Sequence, residues 1–177
     1  MKFRLFLLCA LVVPIAGAQA TPAKSRRRMI HHTVVDYLRL LPAQPIDFDV
    51  PGRRNEMLGK KWRHAVDSKR DYLKIIGNKV IGDDVRPSLQ CKVFRFAGRD
   101  VLAVSTYNRG EFGFDLWSYE GARWRMVTSA LAPPIDGDDL NYVLPRVGTT
   151  IRVFLSDGTL LTKLQWRKGR FVAEDVL

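Results

Sequence analysis

The chain has 177 residues, of which 46% are hydrophobic and 27% charged, a composition typical of one ordinary globular domain and not of a disordered or fibrous protein. Its two cysteines exclude a disulfide scaffold and a four-cysteine zinc site. The formal net charge of +11, from 29 basic against 18 acidic residues, favours an anionic partner over a cationic one.

The first twenty residues have the three-part pattern of a cleaved secretory signal peptide. Lys2 and Arg4 begin it, an apolar run follows, and residues 18–20 (Ala-Gln-Ala) place small side chains where a signal peptidase cleaves. The apolar run is shorter than the ~20 residues of a membrane-spanning helix. Cleavage would remove two basic residues and leave 27 against 18 acidic ones, a net charge of +9 over the remaining 157 residues. We therefore expect a periplasmic or secreted protein that is not transmembrane.

Residues 21–28 (TPAKSRRR) are predicted to form a flexible basic arm. Positive charge directly after a signal peptide resists translocation. An uncleaved signal that leaves the rest of the chain in the cytoplasm therefore stays open as an alternative.

Residues 29–177 are predicted to form one α+β domain, with a helical and charged region up to residue 71 and an antiparallel β region from residue 72. An amphipathic helix is predicted over Met29 to Leu41, where apolar side chains recur at helical spacing before Pro42. A second, short helix is predicted around Asn55 to Val66, inside the most charged segment.

From Tyr72 onwards, short β-rich runs alternate with turn signals, which predicts an antiparallel meander. Hairpin turns are predicted at residues 97–100, 120–122, 156–158 and 168–169, and Asp157-Gly158 between two such runs is among the strongest hairpin signals. A short helix or strand is predicted near residues 140–144. The predicted fold is α+β: an N-terminal amphipathic helix packed on about seven or eight strands, as a curved sheet, a sandwich or a partly closed barrel. The predicted strands are residues 72–76, 90–96, 101–106, 112–119, 123–127, 150–155, 159–166 and 170–173.

Basic side chains share one face on three of these predicted strands, while the carboxylates collect in the turns. If the strands are neighbours, the basic side chains would form one wall. Like charges side by side on a sheet cost stability, so such a wall fits an anionic partner: an envelope polymer, a lipid headgroup or an acidic protein. A solvated sheet face without a partner is the alternative. The predicted binding residues are Arg123, Arg125, Arg152, Lys163 and Arg167.

Motifs of catalysis are missing from the sequence, which contains no nucleophile elbow, phosphate loop, dinucleotide fingerprint or His-Glu-x-x-His. We predict no catalytic residue, no cofactor and no metal site. Asp136 and Asp138 resemble the opening of a calcium loop, but the later glutamate ligand is missing. Cys91, alone once the signal is removed, is predicted to be buried, with pairing to another chain or a nucleophilic role as alternatives.

These features together favour an exported, bacterial-type envelope protein that acts as a non-enzymatic binding module with a basic surface for an anionic partner. A protein-binding inhibitor or immunity-type module is the first alternative, and a hydrolase with an unrecognised site is the second. Nucleic acid fits the charge, but export and the lack of a nucleic-acid-binding motif argue against it.

Overall fold

Two antiparallel sheets and one helix of nearly two turns dominate the described part of the chain. The predicted signal peptide at 1–20 and the predicted basic arm at 21–28 lie outside the described residues. The structure, a computed structural model, describes residues 32–42, 57–59, 62–77, 86–108 and 110–175.

The larger sheet has six strands in sequential order, and each strand is antiparallel to the next. The smaller sheet has four strands, in the order β10-β9-β8-β7. Helix α1 (Val34–Leu40) precedes the larger sheet, and the single turn α2 (Thr128–Leu131) separates the two sheets in sequence. The strands are β1 (Arg63–Asp67), β2 (Tyr72–Ile76), β3 (Ser88–Phe96), β4 (Arg99–Asn108), β5 (Glu111–Glu120), β6 (Arg123–Met126), β7 (Asn141–Val143), β8 (Thr150–Phe154), β9 (Leu160–Arg167) and β10 (Arg170–Asp175).

The larger sheet is the middle layer of the fold, because both of its faces are buried. Leu89, Cys91 and Val93 on β3 pack in one apolar cluster with α1, whereas Phe94 belongs to a second cluster formed with the smaller sheet. An antiparallel sheet commonly leaves one face to solvent, and its strands then alternate between apolar and polar residues. Here α1 covers one face and the smaller sheet covers the other, so β3 is buried almost throughout.

Local sequence explains why α1 begins where it does. Thr33 caps the helix: its hydroxyl accepts from the backbone N–H of Asp36, and the Asp36 carboxylate accepts from the Thr33 backbone N–H at 2.9 Å. This reciprocal pair satisfies two donors that a helix start would otherwise leave unpaired. Hydrogen bonds from Thr33 also lower the pKa of Asp36. The sequence predicted a helix from Met29, and the structure begins it at Val34.

Aromatic contacts and hydrogen bonds fasten α1 to the sheet. The hydroxyl of Tyr37 donates to Asp100 at 2.6 Å, and the indole N–H of Trp124 donates to the Leu40 carbonyl at 2.8 Å. Tyr37, Trp124 and Tyr119 also pack against one another, with ring centroids 4.9–5.7 Å apart. Burial and the Asp100 carboxylate raise the pKa of Tyr37, so its proton stays in the hydrogen bond. Sequence spacing predicted the helix, and these contacts hold it against β5 and β6.

Three tight hairpins share one turn geometry. The pairs Ala97–Gly98, Gly121–Ala122 and Lys168–Gly169 each join two strands, and every residue in them has a positive φ. Two-residue turns of this kind match the right-handed twist of the strands that they connect. The hairpins predicted from sequence around these turns are confirmed, and they follow from local turn chemistry.

We expect Gly169→Ala to destabilise the protein more than Gly158→Ala. The φ values of the two glycines are nearly equal, +82° and +87°, so both substitutions carry the cost of about 1–2 kcal/mol for a side chain in this conformation. A Cβ at Gly158 would meet open space, whereas one at Gly169 would lie 2.9 Å from the ring of Phe96. Urea unfolding of both variants measures the difference, and equal losses would show that the Phe96 contact contributes nothing.

The predicted short helix around Asn55 to Val66 is wrong over its C-terminal part. Arg63–Asp67 is instead the edge strand β1, in which Val66 lies opposite Leu73 of β2. Apolar spacing in this segment is weak, so the backbone hydrogen bonds offered by β2 decide its conformation. The region near residues 140–144 forms a strand, β7, which is one of the two predicted possibilities.

Of the three predicted architectures, the partly closed barrel is wrong. Strands β1 and β6 end the larger sheet without pairing to each other, so the sheet is open. The described residues form ten strands, more than the seven or eight predicted, since β1 and β7 are added. Among these residues no helix is long and apolar enough to cross a bilayer.

Candidate functional site

The five predicted binding residues do not lie on one sheet. Arg123 and Arg125 belong to β6 of the larger sheet, whereas Arg152 belongs to β8 and Lys163 and Arg167 to β9 of the smaller one. The expected single wall required neighbouring strands, and β6 is not a neighbour of β8 or β9. Alternation along a strand assigns a residue to a face of its own sheet, but it does not say which sheet the strand joins.

Arg152 and Lys163 do come together. They lie directly opposite each other across β8 and β9 and both line a cleft of about 720 Å³. Arg167 lies nearer the end of β9 and forms an ion pair with Glu174 at 2.5 Å. The cleft therefore contains two of the five predicted residues.

Two further basic residues line this cleft, and sequence reasoning did not identify either of them. Lys74 comes from β2 of the larger sheet, and Arg146 comes from the connection between β7 and β8. Glu174 is the one acidic residue in the described lining. We call Lys74, Arg146, Arg152 and Lys163, with the space that they surround, the basic cleft.

Polar contacts with the larger sheet hold the β7–β8 connection beside the cleft. The side-chain carbonyl of Gln90 accepts from the backbone N–H of Leu144 at 3.1 Å, and the hydroxyl of Ser105 donates to the Tyr142 carbonyl at 2.6 Å. Gln90 and Ser105 are both buried, where an unpaired polar group would be costly. These bonds fix β7 and its following residues over β3 and β4, and they bring Arg146 towards the rest of the cleft.

Arg146 is partly neutralised. It donates to the carboxylate of Asp67 at 3.0 Å, and Arg70 donates to the same oxygen at 2.9 Å. These contacts join the β1–β2 turn to the β7–β8 connection. Asp67 therefore positions Arg146 and partly neutralises its charge at the same time. We call the contacts of Asp67 with Arg70 and Arg146 the Asp67 clasp.

The other three cations of the cleft have no acidic partner in the part of the chain that the structure describes. Within the described residues, Lys74, Arg152 and Lys163 form no ion pair. Glu174 lies opposite Lys163 in the β9–β10 register, but its carboxylate binds Arg167. Since Arg152 and Lys163 face each other with like charge, the sheet carries an electrostatic cost here that a bound anion would relieve.

We expect the contacts of Asp67 to make the free energy of unfolding depend on pH in the acid range. Hydrogen bonds from Arg70 and Arg146 lower the pKa of its carboxyl in the folded protein. A carboxyl with a lowered folded pKa stabilises the fold above its unfolded value of about 3.9, and that contribution is lost as the pH falls through the folded value. The free-energy difference between wild type and Asp67→Asn should therefore shrink below about pH 4. A difference that stays constant through the acid range would contradict this role.

Lys92 is buried and does not line the cleft, although its neighbours Tyr72 and Gln90 do. The residue is 7% exposed and its ammonium group donates to the Arg70 carbonyl. Burial lowers the pKa of Lys92. Alternation along β3 puts Lys92 on the face opposite to Cys91, and the structure shows that both faces of this strand are covered.

The other candidate residues from the sequence, Cys91 and the Asp136–Asp138 segment, do not form a ligand or metal site with the described residues around them. The predicted burial of Cys91 is confirmed, since the residue is fully enclosed in the cluster beneath α1. Asp136 and Asp138 are exposed, and no group of three or more His, Cys, Asp or Glu side chains within the described ranges is arranged to hold a metal ion.

A second cleft, of about 560 Å³, lies beside α2 and differs chemically from the basic cleft. Phe114 and Tyr142 stack in its wall with ring centroids 4.2 Å apart, and its described lining contains no charged residue. Its described lining therefore has no charged group that would bind an anion.

The chain matches no family model, no curated protein and no solved structure. The function proposed below therefore rests on the basic cleft.

Proposed function

We propose that this protein is an exported, non-enzymatic binding module of the bacterial envelope that holds an anionic partner in the basic cleft. The observation that carries the proposal is the set of three cations, Lys74, Arg152 and Lys163, that line one cleft without an acidic partner among the described residues. Export rests on the signal-peptide pattern of residues 1–20.

Electrostatics favour this function. A concave surface lined by one sign of charge concentrates its field and attracts counter-ions of the other sign. Arginine can also bind a phosphate or carboxylate through two parallel hydrogen bonds, and lysine adds a compact point charge. The cleft supplies both types of side chain, from two sheets and one connection.

We expect the protein to bind a polyanion, and we expect its affinity to fall steeply as salt is added. The screening length shortens from about 30 Å at 0.01 M salt to about 8 Å at 0.15 M, so exposed cations lose most of their reach over this range. Retention of the purified protein on immobilised dextran sulfate, measured against salt concentration, tests this. Absence of retention at low salt would overturn the proposed function.

Charge alone retains any basic protein on such a matrix, so the test needs a control for net charge. Arg125→Gln removes one positive charge from β6, and Lys163→Gln removes one from the cleft. A cleft-based function requires Lys163→Gln to shift elution to clearly lower salt than Arg125→Gln does.

A further inference from the structure

Val147 is an exposed apolar residue at the edge of the basic cleft. Of the large hydrophobic residues described as exposed, it has the highest exposed fraction, 67%. It lies in the β7–β8 connection next to Arg146, and both residues line the basic cleft. An apolar side chain therefore projects beside the cations that are proposed to hold an anion.

The connection that carries Val147 is held in place at both ends and near its middle. Gln90 binds the N–H of Leu144, and the Asp67 clasp holds Arg146. At the far end, the carbonyl of Thr149 accepts from the backbone N–H of Trp166 at 3.1 Å. Val147 is therefore presented on a braced loop.

Cations around an exposed apolar side chain suit one kind of partner better than the others. At a membrane surface, basic side chains contact anionic headgroups while apolar side chains enter the boundary between headgroups and acyl chains. A soluble polysaccharide would use the cations but would leave Val147 in water. We infer that the partner is the surface of an anionic phospholipid bilayer, whose phosphate groups enter the basic cleft while Val147 inserts beside them.

This inference rests on the proposed function and goes beyond it by naming the partner. It assigns Val147 a role that a soluble anion would not use. The residue is exposed, so its replacement by serine should leave folding intact. Val172 is the matched control, because it is an exposed valine (38%) on β10 that does not line the cleft.

Co-sedimentation with vesicles tests the inference, using phosphatidylcholine alone and phosphatidylcholine mixed with phosphatidylglycerol. We expect binding to the mixed vesicles only, weakened about three- to tenfold by Val147→Ser and unchanged by Val172→Ser. Elution of Val172→Ser from dextran sulfate should match wild type, and Val147→Ser should change elution far less than it changes vesicle binding, since neither substitution alters charge.

The outcomes separate the two proposals. If Val147→Ser binds mixed vesicles as tightly as Val172→Ser does, or if the protein binds dextran sulfate but no vesicle, the membrane inference fails and the basic cleft remains a site for soluble polyanions. Inorganic polyphosphate as a competitor separates a phosphate source from a bilayer. We expect it to displace Val147→Ser from mixed vesicles at a lower concentration than wild type, and equal displacement of the two would also overturn the inference. If neither matrix nor vesicles retain the protein, both proposals fail.

Discussion

Replacing Arg152 and Lys163 together by glutamine is expected to weaken binding to an anionic surface about thirtyfold. Each basic residue near such a surface contributes about 1 kcal/mol, and 1.4 kcal/mol corresponds to a factor of ten in affinity. The two residues lie opposite each other in the cleft, and neither has an acidic partner among the described side chains that would offset its loss. Titration with mixed phospholipid vesicles at low salt measures the effect.

The matched control is the double variant Arg123→Gln and Arg125→Gln. It removes the same charge from β6, which belongs to the other sheet and does not line the cleft. A much smaller loss is expected, because only the general attraction of the protein's net charge is reduced. Equal losses in the two double variants would mean that total charge, and not the cleft, accounts for binding.

Measuring the free energy of unfolding of the Arg152 and Lys163 double variant distinguishes a loss of ligand contacts from a loss of folding. Like charges opposite each other on neighbouring strands are destabilising, so removing Arg152 and Lys163 should leave the free energy of unfolding unchanged or slightly higher. A variant that binds less and unfolds no more easily has lost its ligand contacts. A variant that unfolds more easily would show that the two side chains support the smaller sheet instead.

Phe94→Ala is expected to lower the free energy of unfolding by about 3–5 kcal/mol. Phe94 is 2% exposed, and its ring lies 5.0 Å from that of Phe171 and 5.5 Å from that of Trp166. It comes from the larger sheet and packs against two residues of the smaller one, so its removal leaves a cavity between the layers. The expected loss is a large share of the 5–15 kcal/mol by which a domain of this size is typically stable.

Phe96→Ala provides the comparison on the same strand. Phe96 lies two residues further along β3 and is 45% exposed. Its truncation leaves no enclosed cavity and should therefore lower the free energy of unfolding much less. Urea unfolding followed by both near-ultraviolet and far-ultraviolet circular dichroism measures both variants. Similar losses for Phe94→Ala and Phe96→Ala would contradict the packing of the two sheets described above.

The packing at Phe94 also bears on the basic cleft. Lys74 reaches the cleft from the larger sheet, whereas Arg152 and Lys163 reach it from the smaller one. Separation of the sheets would remove Lys74 from the other cations. Phe94→Ala is therefore expected to weaken anion binding whenever it loosens the interface, although Phe94 does not line the cleft.

Much of the fold could be predicted from the sequence where a feature depends on neighbouring residues. The strand Tyr72–Ile76 has its predicted bounds, and the hairpin turns at Gly98 and Gly169 lie where turn chemistry placed them. Helix α1 follows the apolar spacing of Val34, Leu38 and Leu41, all of which are buried. Turns, caps and apolar alternation are local interactions, which is why they are readable without the fold.

The exceptions arise where pairing or packing outweighs local preference. The segment that contains Val66 has weak helical spacing, and β2 draws its C-terminal part into a strand. Lys92 occupies a position that alternation would leave to solvent, but the smaller sheet covers that face. In both places the deciding contact comes from another element, so no window of sequence contains it.

The sequence by itself determined a basic chain with an export pattern, its hairpins, and the faces on which Arg152 and Lys163 lie. Only the tertiary structure separated these two residues from Arg125 and placed Lys74 and Arg146 beside them. The reason is physical: a strand's pleat sets the direction of each side chain, but the burial of apolar faces between layers decides which strands meet. The basic cleft exists because two sheets and one braced connection converge, and that convergence is a property of the packed chain.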